Sequence, residues 1–378
     1  MKQATKVLLI GNYPPPMCGW AMQTKLVAGE LHRRGHVCEV LKINENRQVK
    51  SNEYVDVQSG PDYLLKIIRY TLRGFQLNVH VNGMSKKGYW LALAAALVGR
   101  LAGRPTLLTF HGGLEQMYFP RHDRSAIHQA FYLLFQLAGE TACDSNDIKS
   151  AIEGYGISPN KIRAIATFSP QYMQFEPVAL PRQTEKFIDN RHPIIFSYVS
   201  YRPEYRLEVM HEAMLRYWQS YPNAGIIWLG FPEKELSIVE ESVRNWPEAE
   251  RKSLLLLGNL THDQFLTLLT RSDINLRTPA CDGVAASVLE SLALGIPVVA
   301  SQNGRRPPGV LCYQDTDADD MCAKLIYATE HLEELKSSLR TNLPKSIERS
   351  GEDNVSVMAD WLAGETSIRN CSAVAVAR

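Results

Sequence analysis

Two carboxylates, Asp282 and Glu290, flank a glycine-containing turn that follows an apolar, strand-like segment. A helix is predicted to begin at Ala286, so Asp282 lies in the loop and Glu290 lies inside the helix. Backbone N–H groups at a helix start can bind an anion, and Gly283 lets the backbone approach a ligand closely. The segment therefore fits a site for a phosphorylated ligand, although a helix cap with a solvated glutamate explains the same residues.

A histidine, His111, comes directly after the strand predicted over residues 106–110 and is followed by Gly112 and Gly113. The carboxyl end of a strand in a doubly wound sheet is the usual ligand position, and glycines let the next loop fold over a ligand. Histidine can hydrogen-bond a sugar or move a proton near neutral pH. A structural histidine is the alternative, but the position at a strand end favours a site residue.

Two cations follow the strand predicted over residues 194–199, where Ser200 leads into Arg202 and Arg206. Arginines suit a diphosphate leaving group, because its negative charge grows as the bond to it breaks. Two surface arginines beside a helix start are the alternative interpretation. Position and charge together favour the anion site.

A proline-rich loop joins the first predicted strand to the first predicted helix and ends at Gly19. The prolines stiffen the loop, and Gly19 frees the backbone at the helix start, where N–H groups can face a phosphate or an acceptor. A rigid surface turn explains the loop equally well. The GxGxxG fingerprint of dinucleotide binding does not occur in this loop.

An acidic cluster over residues 315–320 has the spacing of an aspartate motif for a metal. Acidic residues also favour a helix N-terminus, because they complement the helix dipole. A helix is predicted from residue 317, so we interpret the cluster as the start of that helix.

The bulk composition narrows the class of protein. The chain has 41 Lys and Arg residues against 40 Asp and Glu residues, so its net charge creates no positive electrostatic field that would attract nucleic acid. We therefore expect no nucleic acid as a partner. None of the seven cysteines forms a CxxC pair, which fits reduced thiols in a cytoplasmic protein. The longest apolar stretch, residues 90–98, is far shorter than the roughly 20 residues that cross a bilayer.

Apolar runs alternate with amphipathic stretches in both halves of the chain, which predicts two α/β domains with doubly wound parallel sheets. The alternation stops in a polar, proline-containing segment, which we interpret as a linker. Two such halves place a ligand cleft between the strand ends of both sheets. The predicted divisions are a first domain over 1–168, a linker over 169–193, a second domain over 194–350, a C-terminal helix over 351–365 that packs back on the first domain, and a disordered tail over 366–378.

The pair Asp282 and Glu290, followed by the run AxGxPVVAS, resembles the signature of glycosyltransferase family 4. That family has the GT-B fold, in which two Rossmann-like domains face a central cleft, and it retains anomeric configuration. The resemblance extends from about residue 6 to residue 363. The family usually has glutamate at the first position and a glycine-aromatic-glycine turn after it. This chain has the shorter Asp282 and the turn Gly283-Val284-Ala285-Ala286.

The resemblance assigns roles to the residues above. It implies that His111 faces the donor sugar, that Asp282 and the amides after it hold sugar and phosphate, and that Glu290 holds the ribose. Arg202 and Arg206 neutralise the diphosphate. His111, Asp282, Arg202 and Arg206 are thus the expected catalytic residues. The expected substrate-binding residues are Gly19, Gly112, Ser200, Gly230, Asn259, Leu260, Gly283, Val284, Ala285, Ala286 and Glu290.

The implied activity is transfer of a hexose-type sugar from a nucleoside-diphosphate sugar to a hydroxyl acceptor, in polysaccharide or glycolipid assembly. The resemblance implies a nucleotide sugar and a glycan or lipid-linked acceptor as partners, with no cofactor and no metal. A nucleotide-sugar epimerase of the same fold stays open as an alternative. So does a non-catalytic relative that binds nucleotide sugars, because this chain departs from the family at Trp20, Tyr201 and Asp282.

The helix predicted over residues 62–74 carries Lys66, Arg69 and Arg73 beside apolar residues such as Leu64 and Leu72. A basic amphipathic face can lie on an anionic membrane, and a solvated helix face is the alternative. We hypothesise a peripheral contact with the inner face of the membrane, which would bring the protein to a lipid-linked acceptor.

Overall fold

The computed structural model of the chain describes residues 4–15, 18–166, 168, 170–282, 285–341 and 354–365. The chain forms two compact units, one of residues 1–169 with 352–378 and the other of residues 170–351. Each unit contains a six-stranded sheet in which strands and helices alternate along the chain. This confirms the predicted α/β class. The tail predicted to be disordered, 366–378, lies outside the described residues.

The first unit begins with a regular alternation of strands and helices. Its strands are β1 (Lys6–Gly11), β2 (Val37–Lys42), β3 (Gln76–Asn82), β4 (Leu107–His111), β5 (Thr141–Cys143) and β6 (Ile162–Ala164). The helices between them are α1 (Gly19–Arg33), α2 (Gly60–Leu72), α3 (Lys86–Leu101), α4 (Ala126–Leu137) and α5 (Asn146–Glu153).

The second unit repeats the alternation. Its strands are β7 (Ile194–Tyr198), β8 (Gly225–Phe231), β9 (Leu254–Gly258), β10 (Ile274–Arg277), β11 (Val298–Ser301) and β12 (Val310–Tyr313). Its helices are α6 (Arg182–Asp189), α7 (Leu207–Ser220), α8 (Glu233–Val243), α9 (Glu248–Lys252), α10 (His262–Thr270), α11 (Ala286–Ala293), α12 (Ala318–Glu330) and α13 (Leu332–Thr341).

Both sheets are parallel and have one position where the order of the strands reverses. The first sheet has the order β2-β1-β3-β4-β5-β6 and the second has the order β12-β11-β10-β7-β8-β9. The reversal falls between β1 and β3 in the first sheet and between β7 and β10 in the second. Ligands of doubly wound sheets bind outside the carboxyl ends of the strands at such a switch point. These two positions are therefore where the candidate residues matter most.

The strands are apolar because helices cover them on both sides. Successive residues of a strand point to opposite faces, and in β1 Leu8 and Ile10 join one hydrophobic cluster while Val7 and Leu9 join another. The second sheet behaves in the same way: Ile195 packs into one cluster and Phe196 into the other. Burial of both faces fixes the register of the sheet and the positions of the strand ends.

The segment interpreted as a linker, 169–193, contains helix α6 within the second unit. Just before α6, Leu180 packs into a hydrophobic cluster of that unit, and Arg271 pairs with Glu185 and Asp189 of the helix. The helix is short and mostly polar, and Pro181 at its start provides no side-chain cap. Apolar periodicity in the sequence was therefore too weak to predict it.

The last described helix, α14 (Asn354–Ala363), belongs to the first unit. Its apolar side chains, which include Val355 and Leu362, share a hydrophobic cluster with Leu31 of α1. Trp361 donates a hydrogen bond from Nε1 to Glu140 Oε2 over 2.8 Å, which joins the helix to the segment before β5. None of the helices in the described parts of the chain is long and apolar enough to cross a membrane.

Candidate functional site

The switch point of the second sheet is bridged by an arginine. Arg277, the last residue of β10, donates from Nη1 to the carbonyl oxygen of Tyr198, the last residue of β7, over 3.1 Å. Its guanidinium also lies 5.5 Å from the ring centre of Tyr205. Sequence reasoning did not select Arg277, although a charged residue ending the apolar strand Ile274–Arg277 was a usable signal.

Asp282 is held between two buried arginines. Its Oδ2 accepts a hydrogen bond from Arg277 Nε over 2.8 Å, and its Oδ1 lies 3.0 Å from Arg306 Nη1. Asn303 donates to the Asp282 backbone carbonyl over 3.0 Å. The sequence predicted Asp282 as a ligand-binding carboxylate but missed both arginines, since neither lies near it in the expected motif. The ion pairs keep this carboxylate in one orientation at the carboxyl edge of the sheet.

Glu290 lies inside α11 and is only 5% exposed. No hydrogen bond or ion pair engages its carboxyl group among the residues that the structure describes. Burial raises the pKa of Glu290 to about 8. A buried carboxyl without a donor is costly, and hydroxyl donors from a ligand would remove that cost.

The turn between these carboxylates is described in part. Gly283 and Val284 lie outside the described residues. Ala285 occupies the N-cap position of α11 and has no side-chain cap, and Ala286 is the first helical residue. The Val288 amide donates to the Ala285 carbonyl over 3.0 Å. Because no side chain caps this helix, the amides of Ala286 and Ser287 are left for water or a ligand.

The two cations that follow β7 have different surroundings. Arg202 is exposed, and no described residue pairs with its guanidinium. Arg206 donates from Nη2 to Asp315 Oδ2 over 3.2 Å. Arg206 also has φ = 50°, which places it in the left-handed region and ends the short 3-10 helix before α7. A strained backbone at a polar residue often indicates a functional position.

Ser200, the first residue predicted to bind substrate after β7, donates its hydroxyl to Glu235 Oε2 over 2.8 Å.

Three of the predicted substrate-binding residues, Gly230, Asn259 and Leu260, lie at neighbouring strand ends. Gly230 is in β8 with φ = 102°, and a side chain there would meet the Tyr198 ring at 2.8 Å. Asn259 and Leu260 directly follow β9. Asn259 is exposed, while Leu260 packs against a hydrophobic cluster. These positions share the carboxyl edge of one parallel sheet, but the structure shows no side-chain chemistry that selects a base.

In the first unit, His111 ends β4 and is almost fully buried. Its Nδ1 lies 3.5 Å from Asp144 Oδ1, and the other oxygen of Asp144 accepts a hydrogen bond from the Gly112 amide over 3.0 Å. His111 Nε2 lies 3.1 Å from Nδ1 of His80 on β3. The ring is therefore engaged at both nitrogens inside the unit.

Trp20 closes this cluster from α1. Its ring centre lies 4.4 Å from that of His111, and its Nε1 donates to His80 Nδ1 over 2.6 Å. Burial, with repulsion from His111, lowers the pKa of His80 well below its ordinary value. The opposite nitrogen of His80 lies 2.9 Å from Asn78 Oδ1. His80 was not selected from the sequence, because it lies within a strand rather than at its end.

The loop before α1 is tied to the strand beside it. Gly19 is the first residue of α1, and the Cys18 sulfur accepts a hydrogen bond from the Ala21 amide over 3.4 Å. Lys42, at the end of β2, donates to the carbonyl oxygens of Pro14 and Pro15 over 3.3 and 2.5 Å. Burial lowers the pKa of Lys42. This buried lysine, also missed from the sequence, fixes the loop near the first switch point.

The acidic cluster is a helix start, as predicted. Asp317 is the N-cap of α12, and its Oδ1 accepts a hydrogen bond from the Asp320 amide over 2.9 Å. Asp320 in turn accepts from the Gln314 amide. Asp315 stands apart from the cap and pairs with Arg206.

The chain matches no protein-family model and no curated protein. Solved structures are nevertheless similar over almost its whole length. HepE from Anabaena, in complex with UDP and glucose, has a TM-score of 0.68 at 13% identity over 95% of this chain and 98% of that chain. A glycosyltransferase from Rickettsia africae has a TM-score of 0.62 at 16% identity over 97% and 100%. A putative UDP-N-acetylglucosamine 2-epimerase from Listeria monocytogenes has a TM-score of 0.65 at 14% identity over 97% and 98%.

These likenesses establish the architecture. The chain has the GT-B fold, with two Rossmann-like units, each built on a parallel six-stranded sheet. Sequence identities of this size show the fold alone. The activity must be argued from the residues at the strand ends.

Proposed function

We propose that the chain is a retaining glycosyltransferase of family 4 type, which transfers a sugar from a nucleoside-diphosphate sugar to a hydroxyl acceptor. The observation that carries the proposal is the buried carboxyl group of Glu290, which no described side chain or amide satisfies. The two adjacent hydroxyls of a ribose would supply the missing donors. The group lies on the helix after β10, at the switch point where this type of sheet binds ligands.

We propose a uridine nucleotide as the donor. HepE is solved with UDP and with UDP-glucose, and this chain shares its fold over nearly the whole length. In the reaction that we propose, the bond between the anomeric carbon and the diphosphate oxygen breaks, and its electron pair passes to that oxygen. The acceptor oxygen bonds to the anomeric carbon from the same face and gives its proton to the leaving phosphate. No metal takes part.

The cations after β7 would stabilise this leaving group. Arg202 is exposed and carries an unpaired charge among the described residues, and Arg206 shares its charge with Asp315 at 3.2 Å. Charge that develops on the diphosphate is stabilised best by cations that are already in place. The strained backbone of Arg206 is consistent with a guanidinium held for this purpose. Asp282, held by its two arginines, would accept hydrogen bonds from sugar hydroxyls, and His111 would orient the sugar.

Calorimetric titration with UDP tests the ribose role of Glu290. We expect Glu290→Gln to weaken UDP binding by at least about tenfold, because a carboxylate accepts from two hydroxyls and an amide oxygen does so less strongly. Glu333→Gln, on the exposed face of α13, is the matched control and should leave the affinity unchanged. Unchanged affinity in the Glu290 variant, or a wild-type protein that binds no nucleotide, would rule the proposal out.

Turnover tests the role of Arg206. With the donor identified by titration, we expect Arg206→Gln to lower kcat by about 100-fold or more, because one preorganised charge at the leaving group is lost. Arg216→Gln removes an arginine of similar exposure, also paired with carboxylates, from the surface of α7. That control should keep its rate. Equal rates in both variants would contradict a catalytic role for Arg206.

A nucleotide-sugar epimerase is the second candidate, favoured by the likeness to the Listeria protein at a TM-score of 0.65. An epimerase converts its substrate without an acceptor. Proton NMR of UDP-N-acetylglucosamine incubated with the protein alone separates the two activities. A new UDP-sugar without free UDP would identify an epimerase, whereas release of UDP only when an acceptor is present would identify a transferase.

We also propose that the first unit binds anionic membranes and so reaches a lipid-linked acceptor. Exposed apolar side chains lie on α2 and on the neighbouring α3; we call them the α2–α3 apolar surface: Leu64, Leu65, Ile68, Leu72, Trp90, Leu97 and Leu101. The surrounding exposed cations are Arg69, Arg73, Lys86, Lys87, Arg100 and Arg104. Apolar anchors ringed by cations suit an anionic lipid surface. Ile67 of the same helix is buried in the core and is not part of this surface.

A further inference from the structure

Two buried arginines in the second unit share a single carboxylate. The side chain of Arg306 is 2% exposed and that of Arg277 is 9% exposed, and both contact Asp282. Arginine keeps its proton in proteins, so burying two guanidiniums against one carboxylate leaves one positive charge uncompensated at this point. Such a charge is expensive away from water unless a further anion joins it.

An unused hydroxyl group accompanies that charge. The guanidinium of Arg306 is engaged at each nitrogen: it donates from Nε to the Ser301 carbonyl over 2.9 Å and from Nη2 to the Pro279 carbonyl over 2.7 Å, and its Nη1 lies 3.0 Å from Asp282 Oδ1. Tyr313 is paired with Ser301 in the β11–β12 ladder, and its buried hydroxyl has no partner among the described residues.

The Tyr313 hydroxyl belongs to the same electrostatic environment. Burial raises the pKa of Tyr313, and the charges of Asp315, Arg306 and Arg277 also act on it. Tyr217 offers a contrast in the same unit: it is equally buried, but its hydroxyl is bonded to Thr329 Oγ1 over 2.6 Å. Buried polar atoms in folded proteins are normally satisfied, so an unsatisfied hydroxyl next to an unbalanced charge indicates a missing ligand.

We propose that Arg306, Arg277 and Tyr313 form a subsite that recognises an anionic oxygen group of the bound ligand. The group is either a phosphate of the donor or a carboxylate on the donor sugar, since guanidinium and phenol donors bind both. Asp282, whose side chain is 17% exposed, is the part of the cluster open to an incoming ligand. This inference rests on the proposed function for the identity of the ligand, but the anion subsite itself does not. It adds residues that lie apart in sequence from Arg202 and Arg206.

The test compares two tyrosine variants, because loss of Arg306 would leave Asp282 half-paired and endanger folding. Tyr313→Phe removes a hydroxyl without a protein partner, so the thermal stability of the free protein should stay the same or rise. Tyr217→Phe removes a bonded hydroxyl and should lower stability. Binding is then measured by calorimetry with pyrophosphate, uridine, UDP, UDP-glucose and UDP-glucuronate.

We expect Tyr313→Phe to weaken anion binding by about tenfold, since hydrogen bonds to charged groups are the stronger kind, and Tyr217→Phe to leave it unchanged. Weaker binding of pyrophosphate and of all three UDP compounds, with uridine unaffected, identifies a phosphate as the occupant. Weaker binding of UDP-glucuronate alone identifies a sugar carboxylate. Arg306→Lys keeps the positive charge but loses the planar guanidinium that donates two parallel hydrogen bonds. It should weaken binding of the same ligands as Tyr313→Phe does.

Three results would overturn the subsite. The first is unchanged affinity for every anion in Tyr313→Phe. The second is an equal loss for uridine, which would place Tyr313 at the base. The third is a wild-type protein that binds neither pyrophosphate nor any UDP compound. If pyrophosphate binds through Tyr313 while UDP and the UDP-sugars do not bind, the result supports the anion subsite and contradicts the proposed function.

Discussion

Trp20 fixes the protonation state of His80. The indole Nε1 can only donate, and it lies 2.6 Å from His80 Nδ1, so that nitrogen must carry a lone pair. The proton of the neutral ring is then on Nε2, which donates to Asn78 Oδ1 over 2.9 Å. His111 Nε2 lies 3.1 Å from the same nitrogen, whose single lone pair already accepts from Trp20. Trp20 thus sets the tautomer of the His80 ring that His111 faces.

Histidine NMR tests this arrangement. In protein labelled with nitrogen-15 histidine, we expect His80 to stay neutral with its proton on Nε2 across the pH range in which an ordinary histidine titrates, because burial keeps its pKa low. Trp20→Phe removes the indole N–H that donates to His80 Nδ1, and the His80 signals should then show exchange between tautomers. His331, a partly exposed histidine of the second unit, is a reference that should remain unaffected by Trp20→Phe. A His80 ring that becomes doubly protonated within that pH range would contradict the assignment.

Glu290 makes folding stability depend on pH. Its folded-state pKa of about 8 lies above the ordinary 4.5, so the folded protein binds this proton more tightly than the unfolded chain does. The contribution of Glu290 is therefore fully present below about pH 4.5 and is lost as the pH rises through 8. We expect Glu290→Gln to be more stable than the wild type at alkaline pH, by on the order of a few kcal/mol.

Urea unfolding of both proteins at several pH values measures this difference. The difference in the free energy of unfolding between Glu290→Gln and the wild type should grow from acid to alkaline pH. It should level off above the folded-state pKa of Glu290. Glu333→Gln, the exposed control, should follow the wild type throughout. A Glu290 variant that is less stable than the wild type at alkaline pH would mean that a partner satisfies the carboxylate in solution.

The loop after β4 depends on a glycine. Gly112 has φ = 105°, and a side chain there would meet Gln116 Nε2 at 1.8 Å. Gln116 is buried and accepts a hydrogen bond from the Gly83 amide over 2.6 Å, so it cannot move without breaking that hydrogen bond. We expect Gly112→Ala to cost at least about 2 kcal/mol of stability, from backbone strain together with the lost hydrogen bond.

Gly103→Ala separates strain from crowding. Gly103 also has a positive φ, of 69°, but nothing lies near the added carbon. That variant should lose only about 1 kcal/mol, measured by the same urea unfolding. Equal losses of stability in Gly112→Ala and Gly103→Ala would show that Gln116 can move at little cost and that other contacts hold the loop.

The fold could be predicted from the sequence because most of the sheet strands are apolar runs that alternate with helices. The strands predicted over residues 106–110 and 194–199 are observed as β4 (Leu107–His111) and β7 (Ile194–Tyr198). Helix α6 was missed because its residues are mostly polar. The left-handed backbone of Arg206, directly before helix α7, cannot be recognised from residue type.

The site was predicted only where motif and strand end coincide. Asp282, Glu290 and His111 stand at such positions, but Arg306 and His80, which contact Asp282 and His111, lie elsewhere in the sequence. Arg306 reaches Asp282 from 24 residues away in the chain (306 − 282), and His80 reaches His111 across the β3–β4 ladder. Parallel sheets create neighbours by hydrogen-bonded pairing, and a single sequence carries no spacing signal for such pairs.

The α2–α3 apolar surface makes a prediction about membrane binding. Leu65 is 66% exposed and Leu101 is 88% exposed, on adjacent helices of the first unit. We expect the protein to float with vesicles rich in anionic lipid at low salt. Leu65→Glu with Leu101→Glu should reduce that partitioning at least about tenfold, because two apolar anchors are lost and two repelled charges are added.

A second double variant shows whether the location matters. Val49→Glu with Ile238→Glu adds the same charge at exposed apolar positions away from α2 and α3. If the surface acts as proposed, this control binds vesicles nearly as well as the wild type does, because its anchors remain intact. Raised salt should weaken both, since the cations around the surface are screened within a Debye length of about 8–10 Å. Equal losses in the two double variants would mean that net charge alone governs binding, and a wild-type protein that does not float would end the membrane proposal while leaving the nucleotide site untouched.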